Sequence, residues 1–183
     1  CPTDICDWSA RTRLDAMTDM ADDRRTIYTY DPSNLTTRLK AFQWASLSSV
    51  EQDYFLSPNI SVLSQYSGLS PENKAAAQGA NLVNFLRGQR GYEGSLYRNR
   101  QHVLGDIVSS EAVFVRVATF DYVDNGYSDF KTSVSTRSGT VYVGANDGML
   151  HAFNADDGVE RWAYIPSLVL PGLFQLADRN YAN

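Results

Sequence analysis

The chain is short of cysteine, histidine and long apolar runs, and each shortage excludes a class of protein. Two cysteines and two histidines in 183 residues fall short of the Cys and His clusters of a zinc domain. No run of about 18 apolar residues occurs, so the sequence predicts no membrane-spanning helix. Positive charge is also scarce: 16 Lys and Arg stand against 21 Asp and Glu, a formal net charge of −5. Because a nucleic-acid partner requires a basic face, we expect none.

Both cysteines lie at the start of the chain. Four residues separate Cys1 from Cys6 in the stretch CPTDIC, which is too long a spacer for a redox CxxC pair. We favour a local disulfide between them, which would require an oxidising compartment. Two unrelated free thiols are the alternative. The chain opens without a start methionine or a signal peptide, as a processed or trimmed fragment would.

Strand and helix patterns alternate along the first two thirds of the chain. Alternating and β-branched residues predict strands at 24–31, 37–44 and 107–122. Ser48, with Glu51 three residues later, predicts a capping box at the start of a short helix. Ser70 as N-cap predicts a longer amphipathic helix over 70–87. Gly79 would lie inside it at a cost of roughly 1 kcal/mol relative to alanine, so we expect close packing there.

Residues 88–106 are the most basic stretch of this acidic chain. Its arginines are Arg90, Arg98 and Arg100, with Arg87 directly before it. Neither GxxxxGK[ST] nor GxGxxG occurs, so a phosphate loop is not favoured. We expect the guanidinium groups to bind loop carbonyls and carboxylates such as Glu93 or Asp106. His102 and His151 lack the HxxxH or HExxH spacing of a metal or catalytic site.

Residues 121–132 fit a calcium loop in part. Such a loop places oxygen side chains at positions 1, 3, 5 and 9, glycine at 6 and glutamate at 12. Asp121, Asn125 and Asp129 fit positions 1, 5 and 9, but a valine and a threonine hold positions 3 and 12. The Asn-Gly pair at 125–126 is also typical of a tight turn, which we favour over a calcium site.

The stretch VYVGANDGMLHAFNADDGVERWAYIP, residues 141–166, has the most specific pattern. It predicts strands at 140–145, 149–155 and 160–165, separated by the turns NDG and DDG. Three antiparallel strands joined by tight turns make most of a four-stranded propeller blade. Only one clear copy occurs, and a meander this short cannot bury both of its faces. We therefore predict a mainly β fold with inserted helices, a fragment of one to two blades of antiparallel strands.

No catalytic residue is proposed, because no Ser/His/Asp or Cys/His set can be assembled from the sequence. The carboxylate pairs at 22–23 and 156–157 are interpreted as a solvated face and a turn. The expected site residues are structural: Trp162 as the anchor on a neighbouring blade, Gly144, Gly148 and Gly158 for turn geometry, and Asn146 and Asp147 for bonding the turn backbone.

The same stretch, followed by LADRNYAN, resembles the large type IV pilus tip adhesins, the PilY/PilC-type pilus-biogenesis factors. The stretches RRTIYTY, LVNFLRGQRG, YRNRQHVLGDIVSSEAVFV and GYSDFK are similar to that family in the same order. The resemblance covers residues 24–183 and implies the first, incomplete part of the family's C-terminal domain, a modified β-propeller related to quinoprotein dehydrogenases. Residues 1–23 would form a separate N-terminal segment with the local disulfide.

The resemblance also implies a function. Members of that family lie at the pilus tip with minor pilins, promote pilus assembly and twitching motility, oppose retraction, and attach to host-cell or abiotic surface receptors. It therefore implies a non-catalytic adhesin, exported through the periplasm and outer membrane, whose further partners are the remaining blades of the same protein. The family's aspartate-rich calcium loop has no full match here, so calcium is expected outside this segment and no cofactor within it.

Two alternatives stay open. The stretch GANDGMLHAFNADDGVERW also resembles the Trp-docking repeat of quinoprotein alcohol dehydrogenases. Such an enzyme holds calcium beside pyrroloquinoline quinone and usually has adjacent cysteines, whereas Cys1 and Cys6 are separated. The other alternative is a propeller scaffold in outer-membrane assembly, in which the blade motif is purely architectural.

Overall fold

The structure is a computed structural model that describes residues 8–18 and 24–181. The predicted Cys1–Cys6 disulfide and the carboxylate pair at 22–23 lie outside the described residues. No helix within the described ranges is long and apolar enough to cross a bilayer.

Short helices and short strands make up the described chain. The α-helices are α1 (Ala10–Met17), α2 (Ser49–Asp53), α3 (Pro71–Ala76), α4 (Ala80–Leu86) and α5 (Tyr127–Ser133). The strands are β1 (Ile27–Tyr30), β2 (Leu39–Ala41), β3 (Val113–Val115), β4 (Thr140–Gly144), β5 (Leu150–Asn154) and β6 (Glu160–Ile165). The 3-10 turns are Trp44–Ser46, Asn59–Val62, Tyr66–Gly68 and Leu170–Ala177.

All six of these strands form one open sheet in the order β2-β1-β6-β5-β4-β3. Strands β3 to β6 pair antiparallel in sequence order, with a bulge at Ala152/Phe153, and make a four-stranded blade. Strand β1 then pairs parallel to β6, with Ile27 opposite Ala163, and β2 pairs antiparallel to β1. The predicted fold class is confirmed. The sheet is mixed, however, because the upstream strands extend this blade rather than begin another.

The blade strands lie where the sequence predicts them, to within one residue at each end. The strand predicted at 24–31 is confirmed as β1, but the one at 37–44 is reduced to β2 because Trp44 begins a 3-10 turn. The strand predicted over 107–122 is wrong for most of its length. Only Val113–Val115 pairs, opposite residues 140–142 of β4. Its β-branched residues favour an extended backbone, but a ladder exists only where a partner strand lies alongside.

The helix predicted over 70–87 is two helices. Ser70 caps α3 and Pro71 occupies its first turn, as predicted, but Gly79 separates α3 from α4 with φ +67° and ψ −131°. Residues with a side chain rarely adopt that conformation. The Gly79 amide donates to the carbonyl of Phe55 (2.9 Å) instead of to a helical partner. Gly79 therefore separates two helices. It is not a glycine inside one continuous helix that allows close packing. The capping box of Ser48 and Glu51 on α2 is confirmed.

A helical layer covers one face of the sheet. The cluster between the two layers contains side chains of β1 and β6, such as Ile27 and Ile165, packed with Leu82 of α4 and Phe174 of the turn Leu170–Ala177. These side chains are at most 7% exposed. Burial of this apolar area is the main force that holds the helices on the sheet.

Helix α1 closes over the turn between β5 and β6. The Trp8 indole Nε1 donates to the carbonyl of Ala155 (2.8 Å), and the Arg13 Nε donates to that of Asp157 (3.0 Å). Gly158, with φ +72°, lies so close to the Trp8 ring that an added Cβ would come within 2.3 Å of it. The segment before the sheet is thus fixed to the blade at a turn that only glycine fits.

Candidate docking face and buried ionic cluster

The face of the sheet opposite the helices is lined with aromatic and aliphatic side chains. Successive side chains of a strand point to opposite faces, and directly paired residues share a face. The register places Tyr28 and Leu150 beside Tyr164, and Ala152 beside both Trp162 and Tyr142. We call this surface the aromatic face; its side chains are Tyr28, Tyr30, Leu39, Val113, Tyr142, Leu150, Trp162 and Tyr164.

The aromatic face is only partly covered within the described chain. Tyr30 is 39% exposed and Leu150 38%, whereas Ala163 and Ile165 on the opposite face are fully buried. Trp162 is half-buried, and its ring lies 5.8 Å from that of Tyr142. Neighbouring aromatic and aliphatic side chains that stay partly exposed are typical of a protein-docking surface.

A cluster of charged side chains lies buried on the helical side of the sheet. The Arg25 guanidinium holds both carboxylate oxygens of Glu160, with Nε–Oε2 and Nη2–Oε1 distances of 2.7 and 2.9 Å. His151 Nδ1 lies 2.7 Å from the Glu160 carboxylate, and its Nε2 lies 3.1 Å from both oxygens of Asp147. Arg25 and Glu160 are at most 4% exposed, and His151 is fully buried. We call these four residues the ionic cluster.

The ionic cluster changes the titration of its members. Burial alone would favour a neutral His151, but the carboxylates of Asp147 and Glu160 outweigh it and raise the pKa of His151 to about 9. Burial would likewise raise the pKa of Glu160, yet His151 and Arg25 lower it below the ordinary value. The pKa of Asp147 is lowered in the same way, chiefly by His151. His151, Glu160 and Asp147 are therefore charged near neutral pH.

The contacts of the ionic cluster indicate a structural part. Arg25 Nη1 also donates to the carbonyl of Arg87 (2.6 Å), and Asp147 accepts from the amides of Gly105 (3.0 Å) and Met149 (3.1 Å). The cluster thereby joins β5 and β6 to the chain before β1 and to the loop after residue 100. Each carboxylate oxygen of Glu160 and of Asp147 thus accepts at least one hydrogen bond from a group that holds the fold together.

The structure places the predicted turn residues as follows. Gly148 has φ +83° in the β4–β5 turn, where the Asp147 carboxylate accepts from the amide of Met149 (3.1 Å). The backbone amide of Asn146 donates to the carbonyl of Asp106 (2.9 Å). Gly144 is not a turn residue: it ends β4, and its amide donates to the hydroxyl of Ser110 (3.0 Å). Sequence reasoning did not identify Arg25 or Glu160. For Glu160, a charged residue at an inward-facing strand position is a usable signal.

The calcium-loop candidates are spread over a loop and a helix that the sequence did not predict. Gly126 has φ +82° and begins α5, and Asp129 lies in the first turn of that helix. Asp121 pairs with Lys131. Within residues 8–18 and 24–181, no three His, Cys, Asp or Glu residues gather as metal ligands would.

The arginines of residues 88–106 bind loop carbonyls and carboxylates, as predicted. Arg100 pairs with Glu93 (2.6 Å) and donates to the carbonyl of Phe85 (2.8 Å). Arg98 Nε donates to the carbonyl of Leu176 (2.6 Å). Among the described residues, no arginine contacts the Asp106 carboxylate; Asp106 accepts through its backbone carbonyl from the amide of Asn146 (2.9 Å).

Comparison with known proteins gives one consistent result. The family described as the PilY1 β-propeller domain matches residues 104–178. Type IV pilus biogenesis factor PilY1 of Pseudomonas aeruginosa UCBPP-PA14 is 38% identical over 182 residues, 96% of this chain and 14% of that protein. PilY1 of strain PAK is 36% identical, over 95% of this chain and 14% of that protein. A PilY1 homolog of Xylella fastidiosa Temecula1 is 32% identical, over 87% and 14%. No solved structure matches the chain significantly.

The fold and the aromatic face define the class of protein as a β-propeller fragment, one blade with a face left uncovered. Residues 104–178 belong to the PilY1 β-propeller domain family, and nearly the whole chain is homologous to a segment of PilY1. The resemblance to pilus-biogenesis factors is thereby confirmed. The chain spans about 14% of the length of these relatives.

Proposed function

We propose that this chain is the first part of the propeller of a type IV pilus tip adhesin and assembly factor. The observation that carries the proposal is its similarity, over 95–96% of its length, to proteins named type IV pilus biogenesis factors. Within that protein the segment would act without catalysis, as a rigid blade that joins the propeller to the upstream region through β1 and α1.

The partners follow from the two surfaces of the sheet. The aromatic face would receive the remaining blades of the same polypeptide, because exposed aromatic area of this kind is stabilised by burial. Minor pilins at the pilus tip, and receptors on host cells or abiotic surfaces, would bind the assembled propeller at the cell surface. No nucleic-acid partner is proposed, in keeping with the net charge of −5. We place calcium elsewhere in the parent protein and no cofactor in this segment.

Deletion of the gene tests the assembly function. We expect loss of surface pili and of twitching motility, and complementation by the wild-type gene should restore both. Deletion in a strain that also lacks pilus retraction separates assembly from opposition to retraction. If surface pili reappear in that strain, the protein acts by opposing retraction. Normal piliation after deletion would contradict the proposal and favour a scaffold in outer-membrane assembly.

The non-catalytic character has its own measurement. Purified full-length protein should show no quinone absorbance and no dye-linked alcohol oxidation when supplied with calcium and pyrroloquinoline quinone. Turnover under those conditions would favour the quinoprotein alternative over an adhesin.

A further inference from the structure

A pocket that borders the ionic cluster at Asp147 has a lining that suits an organic anion. It has a volume of about 330 Å³ and lies between α1, the end of α4, the loop at 98–107 and the turn Leu170–Ala177. Small-molecule sites usually occupy roughly 300–1,000 Å³ and combine apolar walls with a few polar groups. Phe85, Leu86 and Leu176 supply apolar wall here.

The charged side chains of the pocket leave cationic donors without partners. Three arginines line it, Arg11, Arg98 and Arg100, together with Asp106 and Asp147. Two of these charges are already matched: Arg100 pairs with Glu93 (2.6 Å), and Asp147 lies 3.1 Å from His151. Of these five charged side chains, Arg11, Arg98 and Asp106 are left, two cations and one anion.

Arg98 is held in place while part of its guanidinium group stays available. Its Nε donates to the carbonyl of Leu176 (2.6 Å), and its guanidinium carbon lies 4.9 Å above the Tyr181 ring. Neither its Nη atoms nor the side chain of Arg11 has a hydrogen-bond acceptor among the described residues. Guanidinium groups bind carboxylates through two parallel hydrogen bonds, so the unfilled Nη donors match that chemistry.

The electrostatics of a neighbouring group agree with this geometry. Burial, together with the positive charges of Arg90 and Arg98, lowers the pKa of Arg100 to about 10 against the opposing effect of Glu93. A bound anion would relieve that repulsion.

We propose that the pocket binds a small organic carboxylate, held by the guanidinium groups of Arg11 and Arg98, with its apolar body against Phe85, Leu86 and Leu176. The Asp106 carboxylate in the pocket lining disfavours a doubly charged anion such as phosphate. This inference is independent of the proposed pilus function, since it depends only on the lining of the pocket.

Calorimetric titration of the full-length protein at low ionic strength tests the ligand class. Benzoate is the probe, benzamide its neutral analogue and inorganic phosphate the competing anion. We expect saturable 1:1 binding of benzoate, with benzamide and phosphate each at least about tenfold weaker, because a hydrogen bond to a charged group contributes roughly 1.5–3 kcal/mol. No saturation by about 10 mM benzoate, or equal binding of phosphate, would overturn the proposal.

Three substitutions locate the site. Arg11→Gln and Arg98→Gln should each weaken benzoate binding by about tenfold. Arg11 has no hydrogen bond among the described residues, so Arg11→Gln tests the pocket even if Arg98→Gln disturbs the fold. Arg116→Gln removes the same charge from an exposed side chain that does not line the pocket and should leave binding unchanged. An equal loss in all three variants would indicate diffuse charge attraction and refute the assigned site.

Discussion

At the scale of single residues, His151 is the fully buried centre of the ionic cluster. Its ring lies between two carboxylates from different parts of the blade, and Arg25 completes the charge balance on Glu160. Removal of one member of such a buried set leaves an uncompensated charge, which is why a buried ion pair is costly to break. The cluster therefore couples the stability of the sheet to pH.

The raised pKa of His151 predicts a loss of stability in mild alkali. His151 titrates near 9 in the folded chain and near 6.5 when unfolded. Its contribution is therefore complete below pH 6.5 and is lost as the pH rises through about 9. We expect the free energy of unfolding, measured with urea and circular dichroism, to fall by on the order of 2–3 kcal/mol across that interval.

Two variants separate this effect from general alkaline unfolding. His151→Gln should be less stable than the wild type at pH 6. Its free energy of unfolding should then fall much less than that of the wild type between pH 6.5 and 9. His102→Gln, a change at the other histidine, should show the same fall in unfolding free energy as the wild type. An unchanged pH profile in His151→Gln would contradict the cluster as its origin. On the acid side, the lowered pKa of Glu160 predicts a separate loss of stability below pH 4.5, its ordinary value.

Turn residues could be predicted from the sequence, but the ionic cluster could not. The NDG and DDG turns are predictable from the sequence because Gly148 and Gly158 supply the positive φ that a tight turn requires. Arg25 and Glu160, in contrast, are 135 residues apart in the sequence. Their contact depends on the parallel pairing of β1 with β6, which no local pattern specifies.

At the scale of secondary-structure elements, the break at Gly79 shows how a correct periodicity can conceal a wrong element. Apolar residues continue at helical spacing on both sides of Gly79, so the sequence pattern predicts one helix where the structure has α3 and α4. The chain nevertheless turns at Gly79, where Trp44 and Leu56 pack beside the backbone. The strand predicted over 107–122 failed for a related reason, since β-branched residues indicate extended backbone but not a partner.

Gly79→Ala distinguishes the two interpretations by the sign of its effect. In a continuous helix, alanine would stabilise the protein by about 1 kcal/mol. With φ +67° and ψ −131°, we expect instead a loss of about 1–3 kcal/mol from backbone strain. The nearest atom to an added Cβ is 3.6 Å away, so steric overlap adds little. Gly68→Ala, at a glycine without positive φ and with open space around it, is the matched control in thermal unfolding.

For the molecule as a whole, the uncovered aromatic face is the feature that relates this segment to a larger propeller. One face of the sheet has a complete core, whereas the other presents half-buried tyrosines and Trp162. The meander and its need for a covering neighbour could be predicted from the sequence, because three short strands cannot bury both faces. The identity of that neighbour could not, since no covering element lies among the described residues.

Trp162→Ala measures how completely the aromatic face is covered in the parent protein. If the next blade encloses the indole, the substitution in the full-length protein should cost about 3–5 kcal/mol of unfolding free energy, as for a fully buried large side chain. Leu168→Ala is the control, because Leu168 is 90% exposed and should change stability by less than about 0.5 kcal/mol. A loss of less than about 1 kcal/mol of unfolding free energy for Trp162→Ala would mean that the indole stays exposed, since removal of a buried indole destabilises a protein by more than that.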